Sequence, residues 1–270
     1  MIVTRLIVGV ISALVLLFAL FFSEWTFYAV LVAASFLSIW EMYAALQRVG
    51  YHPLRWTGLV FSVLIVPAGY FGGMEAVLAL LAMLGFASMA HRLFHPECTL
   101  KDILSSVFTL FYIGIPFILI FFMFRLRPEA YGLLAVLTTI ACALNSDVFA
   151  FFAGTLFGRR KLSPEISPNK TVEGSAGGVI GSVLTGVVLC LWVQRIWGLS
   201  IGLEHFIVLG VLCSVTAQMG DLVASSVKRM AGIKDFGTLF PGHGGMLDRI
   251  DSILFTVPVV FVYYKYIILG

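Results

Sequence analysis

The chain has 270 residues, of which 60% are Ala, Val, Ile, Leu, Met, Phe, Trp, Tyr or Cys and only 11% are charged, with a formal net charge of +3 and a mean hydropathy of +1.04. A water-soluble domain usually carries about 25% charged residues, so ordinary soluble globular, disordered and fibrous classes are excluded. The apolar residues come in runs of roughly 17 to 25, the length an α-helix needs to cross about 30 Å of hydrocarbon, and not in the alternating runs of about ten that build a barrel. The expected fold class is all-α, a polytopic transmembrane helical bundle.

In chain order, a single arginine, Arg5, precedes a first apolar run that could pass for a signal peptide. No small-residue cleavage site follows Leu20 and a second run begins at once, so it is expected to be a retained helix. Spans are predicted at roughly 6–22, 26–46, 57–71, 74–90, 103–124, 131–154, 175–197, 206–227 and 250–268, about nine in all. Only Gly72 and Gly73 separate the third from the fourth, and Pro67 interrupts the third, so this pair also suits a tight helical hairpin or a re-entrant element. If all cross, about 13 lysines and arginines fall on the side of the N-terminus and about 4 on the other. That asymmetry predicts a cytosolic N-terminus and an outside C-terminus, in the cell (inner) membrane. Trp25, Trp56 and Trp197, near span ends, suit interfacial anchoring. Cys98, Cys142, Cys190 and Cys213 form no CxxC pair and read as small buried hydrophobes.

Glu41, Asp147 and Asp221 lie inside or at the ends of apolar spans, where an unpaired charge costs about 2.5 to 3.5 kcal/mol or more. Glu41 reads as a packing residue paired with Arg48. At 1.5 Å per residue, Asp147 lies about 24 Å in from Tyr131 and Asp221 about 22 Å in from Phe206, which places both in the cytosolic half of the membrane. There they sit beneath two long polar connections, Gly158 to Glu173 and Lys228 to Arg249. In the second connection Asp248 and Asp251 are three apart and share a face if a helix opens near Leu247. With Asp221 they offer three carboxylates to a hard cation such as Mg²⁺, the choice between one metal ion and two staying open. Pro241, Gly242, Gly244 and Gly245 allow a tight turn whose amides can approach phosphate, and Lys228, Arg229, Lys234 and Arg249 supply positive charge. Acids, cations and a glycine-rich turn together point to metal-assisted phosphoryl or nucleotidyl transfer. Gly174, Gly177, Gly178 and Gly181 read as a helix-packing face in preference to a phosphate cradle.

This stretch resembles the signature of the phosphatidate cytidylyltransferases, also called CDP-diacylglycerol synthases. The family's pattern is met by Ser225, Val227, Lys228, Arg229, Lys234, Asp235, Pro241, His243, Gly244, Gly245, Asp248, Arg249 and Asp251. A second block, Asn145, Ser146, Asp147, Ala150, Phe151, Gly154, Gly158 and Arg159, then Ser167, Pro168, Lys170, Thr171, Glu173, Gly174, Gly177 and Gly178, is similar to two further family elements, with Phe151 where tyrosine is more usual. The matches cover roughly Asn145 to Asp251; the N-terminal half is similar in hydropathy alone. The resemblance implies an enzyme that joins CTP to phosphatidate, giving CDP-diacylglycerol and pyrophosphate.

On that resemblance, residues 1–130 are expected to be N-terminal transmembrane helices and 131–270 a catalytic transmembrane region with two cytosolic loops. The lipid phosphate would attack the α-phosphorus of CTP in line, so cations and positioning supply most of the catalysis. Asp221, Asp248 and Asp251 are the expected metal ligands, with Asp147 as a further ligand or a support. Lys228 and Arg249 join those acids as catalytic groups. Lys170, Ser225, Arg229, Lys234, His243, Gly244 and Gly245 are expected to bind substrate, with a turn-stabilising role equally open to His243. Partners would be CTP, phosphatidate, the bilayer and a second copy in a homodimer, with no nucleic acid. The rivals are an ion-coupled transporter using Asp147 and Asp221, a CTP-dependent lipid kinase, and a membrane scaffold.

Overall fold

A computed structural model describes residues 11 and 14–270. Residues 6–10, 12 and 13 of the span expected at 6–22 fall outside the described residues, as does Arg5. Seven helices among the described residues are long and apolar enough to cross a membrane: α1 (Glu24–Arg48), α2 (Arg55–Phe94), α3 (Leu100–Phe124), α4 (Glu129–Phe157), α5 (Val172–Ile196), α6 (Leu203–Met230) and α7 (Leu247–Ile268). A short antiparallel hairpin, β1 (Lys161–Ser163) with β2 (Ser167–Thr171), joins α4 to α5. Phe71, Phe86, Leu93 and Phe94 are 71 to 85% exposed. Such a density of bare large apolar side chains would be a liability in water and suits a lipid-facing surface.

Helix ends form where the sequence supplies caps. Ser23 and Thr26 exchange side-chain and backbone hydrogen bonds at the start of α1, and Thr99 and Asp102 do the same for α3. Asp102 also accepts from the His52 amide at 2.6 Å, and Ser106 from the Leu54 amide at 2.7 Å, so one helix start ties down the connection before α2. Inside the spans, hydroxyls turn back on their own helix: Ser38 donates to the Ala34 carbonyl, Thr109 to Ser105, Thr139 to Ala135 and Thr256 to Ser252. No water is at hand in hydrocarbon, so this local bond is the cheapest way to satisfy a hydroxyl.

The chain packs as two compact units, one running through Phe122 together with Val227–Ile250, the other Met123–Ser226 with Asp251–Gly270. In the first, α2 is 40 residues long but leaves helical geometry at Gly73, whose φ of 67° and ψ of −161° suit glycine alone. Trp56 near its start and His91 near its end meet with ring centroids 6.3 Å apart. A straight helix would hold those rings about 50 Å apart, so α2 doubles back on itself. The two expected spans at 57–71 and 74–90 are therefore the arms of one helical hairpin. Pro67 stays inside the first arm. Next to it Gly69 lies under the Phe121 ring, and Gly114, in a π-helical turn of α3, lies under Phe61.

In the second unit, small residues let backbones approach. A Cβ on Gly177 would meet Ala153, one on Gly178 the Ser146 carbonyl, and one on Gly181 the Phe149 ring, so this glycine face of α5 lies flat on α4. Gly186 and Gly210 bring α5 and α6 equally close. The four cysteines are buried free thiols.

Gly73→Val should weaken this fold, because a β-branched side chain cannot take that backbone conformation without roughly 1–3 kcal/mol of strain. A lowered thermal midpoint in detergent is the expected result; an unchanged midpoint would mean that the chain does not reverse there.

Candidate active site

The two polar connections fold into separate turns, and in each turn a lysine is laid on an aspartate. In the second unit, α4 ends at Phe157 and Gly158 begins the connection to the hairpin. Thr171, at the end of β2, caps α5 by accepting from the Gly174 amide at 3.1 Å. Gly154, Gly158 and Gly174 crowd that threonine so closely that a Cβ on any of them would come within 3.0 Å of its Oγ1. Glu173 reaches back to accept from the amides of Arg159 and Arg160. Thr171 and Glu173 thus fix the root of the hairpin. From it Lys170 extends to Asp221 on α6, with 2.5 Å between Nζ and Oδ2. Ser225, one turn further along α6, donates to the other Asp221 oxygen at 3.3 Å.

Two more acids of this unit are linked through a hydroxyl. Ser252 Oγ donates to Asp147 at 2.9 Å, and the Ser252 amide donates to Asp251 at 2.8 Å. Gly220, beside Asp221, lets α6 approach α7 until a Cβ there would lie 2.5 Å from the Asp251 carbonyl. Deeper along α6, Gln218 donates to Ser214 Oγ and to the Ser175 carbonyl, and Ser214 meets Ser146 at 2.7 Å. The acids of α4, α6 and α7 therefore stand on a polar network within the bundle, and Gln218 and Ser252 are members of it that the sequence reading did not single out.

In the first unit, the segment after α6 turns at Gly232 (φ 64°), Gly242 (φ 77°) and Gly244 (φ 83°) before α7 begins. Asp248 organises it. One oxygen takes the Lys228 ammonium at 2.8 Å, and the other accepts the amides of Phe236 at 2.7 Å and Gly245 at 2.9 Å. The pair is mostly shielded from solvent, with side-chain exposures of 12% for Lys228 and 4% for Asp248, and Lys228 also sits 5.3 Å over the Phe236 ring. Between Phe240 and Gly244 two backbone hydrogen bonds close a tight turn, with His243 at its tip. The His243 backbone takes part in that turn, while its Nδ1 is buried without a hydrogen-bond partner among the described residues. The side chains of Arg229, Lys234, Asp235 and Arg249 are exposed.

Glu41 departs from expectation. Its oxygens go to backbone amides at the start of α7, Met246 at 2.9 Å and Leu247 at 2.8 Å, and not to Arg48. Nothing in the local sequence around Glu41 announces a partner about 200 residues away.

Among the described residues, no three His, Cys, Asp or Glu side chains converge as ready metal ligands. Mg²⁺ is usually held by one or two carboxylates together with water and substrate phosphate, not by an all-protein cage. Carboxylates from three helices, two of them bracketing Ser252, are a donor set of that kind.

The sequence pattern of the Cytidylyltransferase family matches residues 3–267. The phosphatidate cytidylyltransferase of Bacillus subtilis (strain 168) is 41% identical over 133 residues, 49% of this chain and 48% of that protein. That of Synechocystis sp. is 45% identical over 138 residues, 50% of this chain and 45% of that protein, and that of Thermotoga maritima 35% over 161 residues, 59% of each. The matched region spans about half the length of these relatives.

Asp248→Asn removes the charge that Lys228 faces and puts an NH₂ group among two backbone donors. Breaking a buried pair in this way costs about 3 to 5 kcal/mol, so unfolding in detergent should come at clearly lower temperature. Adding Lys228→Met should recover part of the loss. Equal stability of wild type and single variant would show that the pair does not hold the turn.

Proposed function

This chain belongs to the cytidylyltransferase family, and from that premise we propose that it joins CTP to phosphatidate, forming CDP-diacylglycerol and releasing pyrophosphate at the cytosolic face of the cell membrane. The observation that carries the reading is the pair of turns that set Lys170 against Asp221 and Lys228 against Asp248, at the two blocks where the sequence resembles this family. Each lysine holds a carboxylate that it can exchange for a phosphate.

The reaction needs no protein nucleophile, because the lipid already carries an anionic phosphate oxygen that can attack the α-phosphorus in line. What opposes it is repulsion between two polyanions, so fixed cations and alignment lower the barrier. Lys228 and Arg249 are proposed to neutralise charge at the reacting phosphates. Lys170, Arg229 and Lys234 bind the triphosphate and the lipid headgroup, and Ser225 steadies Asp221. His243, whose buried Nδ1 has no hydrogen-bond partner among the described residues, contacts the triphosphate along with the flanking Gly244 and Gly245. Asp221, Asp248 and Asp251 would hold Mg²⁺, with Asp147 in support, and the ion would screen charge on the phosphates. Residues 131–270 carry most of this machinery. The N-terminus is cytosolic, the C-terminus outside and the spans about nine; phosphatidate reaches its site from the inner leaflet, CTP from the cytosol, and a homodimer is the proposed assembly.

Purified protein given CTP, Mg²⁺ and phosphatidate should yield CDP-diacylglycerol and pyrophosphate, and chelating the metal should stop turnover. Asp221→Asn and Asp251→Asn should each lower kcat by about 100-fold or more, the loss seen when one electrostatic group is removed from an active site. CDP with a newly phosphorylated lipid, or no turnover from folded protein, would overturn the assignment.

Orientation is checked by labelling. In a cysteine-free background, Lys161→Cys should react with a membrane-impermeant maleimide only in inverted vesicles and Arg195→Cys only in intact cells. The reverse pattern would invert the topology.

A further inference from the structure

We infer that Glu41 is a positioning residue for the connection between α6 and α7, holding it in the shape that sets Lys228 and Asp248; the inference rests on the proposed cytidylyl transfer. Glu41 lies within α1 and is only 9% exposed. A carboxylate at that depth is costly unless it is matched, and its match is the first turn of α7, whose amides lack acceptors within their own helix. The positive end of the helix dipole favours an anion there as well.

Two glycines enclose the carboxylate. A Cβ on Gly237 would stand 2.5 Å from its Oε1, and one on Gly245 2.3 Å. Glu41 thereby touches the connection near its middle and at its α7 end. Asp248 takes the amides of Phe236 and Gly245, each next to a residue that Glu41 contacts. Four backbone donors are thus divided between two acids, Met246 and Leu247 to Glu41, Phe236 and Gly245 to Asp248. Only Asp248 has an oxygen left for Lys228.

Both Glu41 oxygens are engaged and its side chain is covered, so it acts through the backbone it gathers. The requirement is for a carboxylate in particular. Glutamine has the same size but one acceptor, and its NH₂ would face one of the two amides donor to donor.

The test uses the full-length protein in detergent or nanodiscs. In Glu41→Gln, amide hydrogen exchange over residues 236–247 should rise at least tenfold with the other helices unchanged. kcat for cytidylyl transfer should fall at least tenfold, while KM for CTP moves less than about threefold. Wild-type kcat with unchanged exchange would overturn the inference. So would a loss of protection spread evenly through the helices, which marks general destabilisation. If Glu41→Gln does not fold, Gly237→Ala displaces the same carboxylate from the loop side and should give the same local exchange and the same fall in kcat; wild-type values there would refute the role. Absence of turnover in the wild type would sink the functional reading alone, and the exchange measurement would still decide whether Glu41 holds the loop.

Discussion

A charge or a backbone amide in hydrocarbon has no solvent to fall back on, so each must find its partner within the chain. Most of what is distinctive here follows from that requirement. Asp221 is met by Lys170 and Ser225, Asp248 by Lys228 and two amides, Glu41 by two more, and Asp147 and Asp251 by Ser252. Hydroxyls with no distant partner bond to the carbonyl a turn behind them. The acids are tolerated because each is matched, and the matching groups, ammonium and amide, are the groups that bind phosphate. Compensation and chemistry therefore draw on the same atoms.

The two turns are built on a common plan. A glutamate gathers backbone amides at the base of each, Glu173 those of Arg159 and Arg160, Glu41 those of Met246 and Leu247. A lysine beside each base meets an aspartate. Glycines crowd the organising side chain, around Thr171 in one case and Glu41 in the other. This plan explains why the sequence blocks are dense in glycine without making each glycine a ligand contact: Gly154, Gly158, Gly174, Gly237 and Gly245 lie where a methyl group would strike the side chain or backbone that shapes the turn.

How much could be read beforehand depended on the range of the interaction. The helices were legible because hydropathy is local, and the glycine face of α5 because its spacing is. The weak separation between the third and fourth spans was visible at Gly72 and Gly73, but hydropathy does not report backbone handedness, so the reversal at Gly73 needed φ and ψ. Asp221, Asp248 and Lys228 could be picked out by their motif, yet not which lysine would meet which acid, since Lys170 and Asp221 are 51 positions apart. Glu41 was misread for the same reason. Arg48, two turns along its own helix, was the nearest charge in sequence, while its partners in space were uncharged amides that carry no signature at all.

The shielding of the Lys228–Asp248 pair has an electrical consequence. Dissolved ions screen charges across water over roughly 8 Å at physiological ionic strength and act much less on pairs held away from it. Lys228 therefore keeps its carboxylate in dilute and concentrated electrolyte alike, whereas Arg229, Lys234 and Arg249, exposed at the surface, feel every change in the medium. Long-range attraction of an anion toward this face is thus adjustable by salt, and the neutrality of the buried Lys228–Asp248 pair is not.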